Sequence, residues 1–280
     1  VIGYGPHYNV IGKLTGYYRD KFVIVSGHYD TIMSSGFCDN GAGSAGVIEL
    51  AKIFAEANQS GLLHPKYTIL FITFASEEIG LVGSINYVMQ HKTEMSDIVA
   101  VINLDSIGSD YLYVTETNPE NDFDLDQLIV KSGQDLGVSV QLEAPGGSDQ
   151  EVFRDPAWGN YIYSYWWGLT AGIGDATPVE SSALLVSYPL FYYDKWDMGS
   201  PGWIHTSYDN STSTTTLNWV ESNSLEKHVR VAALSILRII YLKCDLNGDY
   251  IVDILDLVIE AGKFGAEKGD PHSPPAPKYD

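Results

Sequence analysis

Three apolar runs, Lys21–Gly27, Tyr67–Ala75 and Ile98–Leu104, constrain this chain more than anything else in it. Each is rich in β-branched or aromatic residues, and none alternates apolar with polar positions. A strand with one wet face must alternate, whereas a strand covered on both faces need not, so these read as interior strands of a parallel sheet. Segments of helical spacing separate them. Ser44 to Asn58 sets Val47, Leu50, Ala51 and Phe54 on one face, and Leu81 to His91 is a second such segment. Asp122–Leu136 and Leu217–Leu242 follow, the last with Leu225, Val229, Ala233, Ile236 and Ile240 along one stripe. Tyr8–Leu14 reads as an edge strand or hairpin arm and Val138–Leu142 as a further strand, whereas the aromatic stretch 156–203 has no assignable period. Strands alternating with helices imply βαβ units, hence an α/β fold with a mostly parallel central sheet flanked by helices.

In open sheets of this kind, ligands bind beyond the carboxyl ends of the strands. The three runs lead into His28-Tyr29-Asp30, Ser76-Glu77-Glu78-Ile79-Gly80 and Asp105 respectively. Two adjacent glutamates leave the backbone in different directions, so one can hold a metal while the other handles a proton. Alone, the pair would pass for a solvated acidic loop; its company changes that reading. His28, Asp39, Glu78, Asp105 and His205 are a mixed imidazole and carboxylate set that suits zinc. Five such groups can hold two ions if one carboxylate bridges. A structural zinc site would close with four ligands and often with cysteine, but Cys38 and Cys244 form no cluster. Asp30, two residues past His28, can accept the second ring N–H and fix the tautomer. His7, His64, His91, His228 and His272 lack such company and read as ordinary hydrogen-bonded histidines.

Charge narrows the partners. With 36 acidic and 16 basic residues, the formal net charge is −20, which argues against nucleic acid or an anionic membrane surface. No run approaches the ~18 apolar residues of a membrane-spanning helix. The chain opens at Val1 without an initiator methionine or signal peptide, so it reads as trimmed and is silent on compartment.

Taken in order, His28-x-Asp30, Cys38-Asp39-Asn40, Ser76-Glu77-Glu78-x-Gly80-x-x-Gly83-Ser84, Asn103-Leu104-Asp105 and Ile204-His205-Thr206-x-x-Asp209 resemble the M28 family of co-catalytic zinc exopeptidases. The resemblance covers roughly residues 8–242, and a catalytic domain over 1–242 is expected. It implies a zinc-exopeptidase (phosphorylase/hydrolase-like) fold in which Asp39 bridges two zinc ions. His28 and Asp105 would complete one ion, Glu78 and His205 the other, with Glu77 as general base. It also implies a cis peptide between Asp39 and Asn40. Two departures stand out. Cys38 before the bridging aspartate is unusual and reads as a small buried residue. Gln150, in Ser148-Asp149-Gln150-x-x-Phe153, replaces the family's histidine and touches substrate contacts rather than metals. The activity implied is that of an aminopeptidase acting on peptides or amino-acid amides. The alternatives are a single-zinc glutaminyl-peptide cyclase on the same fold and a non-catalytic binding member of it.

Residues 243–280 read separately, as a short EF-hand-like tail. Asp245, Asn247, Asp249, Asp253 and Asp256 stand at loop positions 1, 3, 5, 9 and 12, with Ile251 offering a backbone carbonyl at position 7. The helix-like Leu257–Gly265 that follows resembles a dockerin-type repeat, although Tyr250 replaces the turn glycine. Lys278-Tyr279-Asp280 echoes Lys243-Cys244-Asp245 after a proline-rich spacer, so half a module is expected. A bound calcium, a scaffold-protein partner and a secreted or cell-surface location follow as expectations. Calorimetric titration of the chain should show calcium uptake at or below millimolar concentration; the absence of any calcium heat would remove the site.

Overall fold

The computed structural model describes residues 6–108, 112–115, 125–143, 147–187, 205, 209–211, 220 and 222–241. In chain order these form β1 (Val10–Leu14), β2 (Tyr18–His28), α1 (Gly43–Gln59), β3 (Tyr67–Phe74), α2 (Val82–Gln90) and β4 (Ile98–Asp105). Then come β5 (Leu112–Thr115), α3 (Leu125–Asp135), β6 (Val140–Glu143), α4 (Asp149–Arg154), α5 (Pro156–Trp167), β7 (Ser182–Val186) and α6 (Ser222–Ile240). The calcium-loop positions Asp245 to Asp256, and with them the whole tail, lie outside the described residues. Among the described residues no helix is long and apolar enough to cross a membrane.

Among the described residues, seven strands make one sheet in the order β1-β3-β2-β4-β7-β5-β6. The four central strands β3, β2, β4 and β7 run parallel, while β1 and β5 pair antiparallel with their inner neighbours. Both faces are covered. Val23 and Val25, Ile69 and Phe71, and Ala100, Ile102 and Leu104 point to one side, where α1 and α6 supply Leu50, Phe54, Ile236 and Ile239. Their neighbours Ile24, Leu70, Ile72, Phe74 and Val101 point to the other, against Ile85 and Val88 of α2 and Val152 and Phe153 of α4. Burial on two sides removes any reason for alternation, which is why the three runs are continuous.

The expected strands and helices recur with small shifts of boundary. β2 begins at Tyr18 rather than Lys21, because Tyr18 already pairs with Tyr67, ahead of a register shift that ends at Phe22. The stretch from 156 resolves into α5 and β7. A proline at the first helical turn and the Asp155 carboxylate, which accepts the Trp158 N–H at 3.0 Å, start α5. Its period was hidden because aromatic residues occupy both its packed and its exposed faces: Tyr161, Tyr165 and Trp166 are all exposed.

β1 does more than close an edge. Asn9, just before it, accepts the Ala75 N–H at 3.1 Å and donates to the Gly83 carbonyl at 2.9 Å. The end of β3 and the start of α2 are thereby tied on either side of the glutamate pair. Gly83 is needed there: a Cβ would lie 2.3 Å from the Ala75 carbonyl oxygen and 2.7 Å from its nitrogen. Gly83→Ala should therefore lower the unfolding free energy by about 1–3 kcal/mol. The expected signature is an earlier urea midpoint with an unchanged slope; an unshifted midpoint would show that α2 can move away freely.

Candidate metal centre

Because β2, β3 and β4 are parallel neighbours, their carboxyl ends open onto one rim. His28 is the last residue of β2 and Asp105 the last of β4, while Glu77 and Glu78 follow β3 by three and four residues. Asp39 arrives from the turn Phe37–Ala42 between β2 and α1, and His205 from a turn position ahead of α6 in the sequence.

Asp39 stands at the centre, with its two carboxylate oxygens facing different partners. Oδ1 lies 3.1 Å from His28 Nε2, which is itself 3.4 Å from Asp105 Oδ1. Oδ2 lies 2.9 Å from His205 Nε2, which is 2.8 Å from Glu78 Oε2. Two nests result, each with one imidazole and one further carboxylate, sharing a single aspartate. Ligand atoms of His28, Asp39 and Glu78, drawn from both nests, fall within 4.8 Å of one another. His28 Nε2 and Glu78 Oε1 are buried without a hydrogen-bond partner among the described residues. Such atoms cost free energy unless something engages them, and a cation shared by these groups is of the right chemistry.

The electrostatics agree. Burial disfavours a charged His28, but Asp105, Asp30 and Asp39 outweigh it and hold the imidazole well above its ordinary range. His205 is pushed up to about 10 by hydrogen bonds to Asp39 and Glu78. Burial acts against ionised Asp39, yet the two imidazoles beside it, His205 and His28, hold its carboxyl below the usual carboxylate range. Glu78 is raised by burial despite the hydrogen bond from His205. Glu77 touches neither nest in a direct ion pair. Burial of its carboxyl raises it well above the ordinary value against the pull of His28, with Asp105, Asp149 and Asp39 adding to the rise. A carboxyl poised to hold a proton beside a cation-hungry cluster is the arrangement acid–base chemistry requires.

The backbone around these groups is held by side chains that the sequence reading did not single out. Asn40, joined to Asp39 by a cis peptide bond as expected, donates to the Leu104 carbonyl at 2.8 Å. Its Oδ1 accepts the Gly43 N–H at 3.0 Å and the Ser106 N–H at 3.1 Å, so it laces the Asp39 turn to both sides of Asp105. Asp105 in turn accepts from Ser148 at 2.7 Å and Ser106 at 3.1 Å. Ser76, Ser106 and His205 all have positive φ, each at or beside a site residue, where a constrained backbone aims side chains.

Two expectations need correction or refinement. The atom at hydrogen-bond distance from His28 Nδ1 is the main-chain carbonyl of Asp30, at 3.1 Å, with the carboxylate farther away at 3.5 Å. The Asp30 carboxylate is taken up by the Glu77 N–H at 3.0 Å and the Glu78 N–H at 3.2 Å. Gln150 is buried and its Oε1 lies 3.4 Å from Asn103 Nδ2, which places the replacement of histidine in the polar layer beneath the rim. Asp149 was not assigned a role. It is fully buried with neither oxygen hydrogen-bonded among the described residues, and burial pushes it up to about 7. Its place just after Ser148, at the start of a helix beneath the rim, was the available signal. Cys38 is buried as expected, and burial pushes its thiol well above the ordinary value.

The sequence profile of Peptidase family M28 matches residues 9–226. Leupeptin-inactivating enzyme 1 of Streptomyces exfoliatus is 30% identical over 154 residues, 53% of this chain and 33% of that one. A probable zinc metalloprotease of Pyrenophora tritici-repentis is 35% identical over 111 residues, covering 36% of this chain and 24% of its own. An aminopeptidase of Pseudomonas aeruginosa is 36% identical over 104 residues, 36% of this chain and 18% of its own. Among solved structures, a zinc aminopeptidase from Bacillus subtilis shares the fold with a TM-score of 0.57 and 22% identity, over 83% of this chain and 50% of that one. The chain thus spans between about a fifth and a third of these curated relatives, and half of that solved structure.

The raised imidazoles give a pH signature. His205 binds its proton more tightly in the folded chain, at about 10, than at its ordinary 6.5. Its contribution to folding is complete below about pH 6.5 and is lost as pH rises toward 10. In chelator-treated protein the melting temperature should fall across that window, and His205→Asn should flatten the fall. An identical slope in the variant would refute the pairing with Asp39 and Glu78.

Proposed function

The chain belongs to Peptidase family M28, and on that premise we propose that it is a two-zinc exopeptidase, acting as an aminopeptidase on peptides or amino-acid amides. The observation that carries this reading is the division of the Asp39 carboxylate, one oxygen toward His28 and Asp105 and the other toward His205 and Glu78. His28, Asp39 and Asp105 would hold one zinc, and Asp39, Glu78 and His205 the other. When bound, the ions supply Lewis acidity that makes a water acidic and polarises the scissile carbonyl.

The chain's own residues do the rest. Glu77 takes a proton from the attacking water onto its carboxylate and returns it to the leaving amine nitrogen. The Asp30 carboxylate keeps the Glu77 and Glu78 amides in register, so base and ligand stay on their separate tasks. Ser148 and Ser106 orient Asp105 by donating to its two oxygens. In the same reading the tail binds calcium through Asp245, Asn247, Asp249, Ile251, Asp253 and Asp256. It would dock to a scaffold protein, and the enzyme would work outside the cell, where calcium is millimolar.

Metal analysis of the purified chain should give close to two zinc ions, and it should cleave aminoacyl anilides. A value near one, with cyclisation of amino-terminal glutamine, would favour the cyclase alternative. Glu77→Gln should retain zinc and lose about 10²–10⁴ in kcat, whereas Glu78→Gln should lose zinc. Near-normal turnover in Glu77→Gln would overturn the assignment of the base.

A further inference from the structure

Asp209 is 2% exposed and lies four residues beyond His205. Its Oδ1 accepts the Cys38 N–H at 2.7 Å and its Oδ2 the Asp39 N–H at 3.2 Å, across some 170 residues of sequence. Its main-chain carbonyl accepts from Ser35 Oγ at 2.9 Å, fastening the same loop a second time. Asp30 makes the same two-pronged contact with the Glu77 and Glu78 amides. In both cases a carboxylate next to a site histidine grips two consecutive amides that end on a site carboxylate. Asp30 therefore braces the Glu77–Glu78 segment across the rim from His28, and Asp209 braces Asp39, the carboxylate that His205 faces.

From this geometry we infer that Asp209 is a positioning residue that holds the Asp39 carboxylate in place for metal, a reading that rests on the zinc proposal above. A carboxylate adds two acceptors matched to two donors, which fixes the peptide plane leading into Asp39, and a charge that makes the site more receptive to a cation. The grip reaches Asp39 from its main chain while His205, four residues earlier in the sequence, meets its side chain at 2.9 Å. Asp39 is thus held at both ends by one short segment.

Asp209→Asn keeps one acceptor and turns an amide N–H₂ toward a backbone N–H. In the full chain, competition against a chromophoric chelator should show zinc held roughly 10–100-fold less tightly. The metal-free melting temperature should fall only modestly, since one buried N–H loses its acceptor. Ser35→Ala, which removes only the second fastening, should weaken zinc by about fivefold, the weight of one ordinary hydrogen bond; it decides the matter if Asp209→Asn does not fold. Zinc affinity within twofold of wild type in the folded variants overturns the inference and leaves the exopeptidase reading intact. So does a drop in metal-free melting temperature with unchanged affinity, which would make Asp209 merely structural. A wild-type chain that takes up no zinc overturns both.

Discussion

Too much negative charge gathered in too little water is the condition on which the site depends. Asp39, Glu78 and Asp105 crowd two imidazoles at the rim, with Glu77, Asp149 and Asp30 close behind. At protein-interior dielectric, like charges a few ångströms apart repel by several kcal/mol unless something positive stands among them. In the chain itself the imidazoles meet that demand by holding protons far more tightly than free histidine does. A divalent cation meets it better, because it engages several oxygens at once. The centre is thus defined less by any one ligand than by a charge deficit the fold will not let the side chains escape.

What prevents escape is a set of hydrogen bonds from the main chain. Loops carrying ligands could relax outward and hydrate their carboxylates. Asn40, Asp30 and Asp209 oppose this by joining the loop of one ligand to the backbone of another. The parallel sheet supplies the fixed frame, since β2 and β4 are hydrogen-bonded neighbours and cannot slide past each other without turning core residues outward.

The frame was legible in the sequence and the lacing was not. Strands covered on both faces announce themselves as unbroken apolar runs, so the positions of His28 and Asp105 followed from pattern alone. Asp39 and His205 sit on loops without periodicity, and only the ordered motifs of the family pointed to them. The partners of Asp209 are far away in sequence, and nothing in its neighbours' identities says whose amides it meets. For Asp30, the short spacing from His28 suggested a side-chain contact, whereas the folded loop turns the carboxylate toward Glu77 and Glu78 and leaves the carbonyl to the imidazole. Helix α5 escaped because its exposed face is as aromatic as its buried one, although Asp155-Pro156 marked its start.

Cys38 adjoins the shared aspartate, yet its sulfur is sealed inside the core and surrounded by acids that make a thiolate still harder to form. Peroxides, disulfides and alkylating reagents attack the thiolate, not the thiol. A cysteine beside the most sensitive atoms of the molecule is therefore chemically quiet. Buried and held as the thiol, it gives oxidants no thiolate to attack.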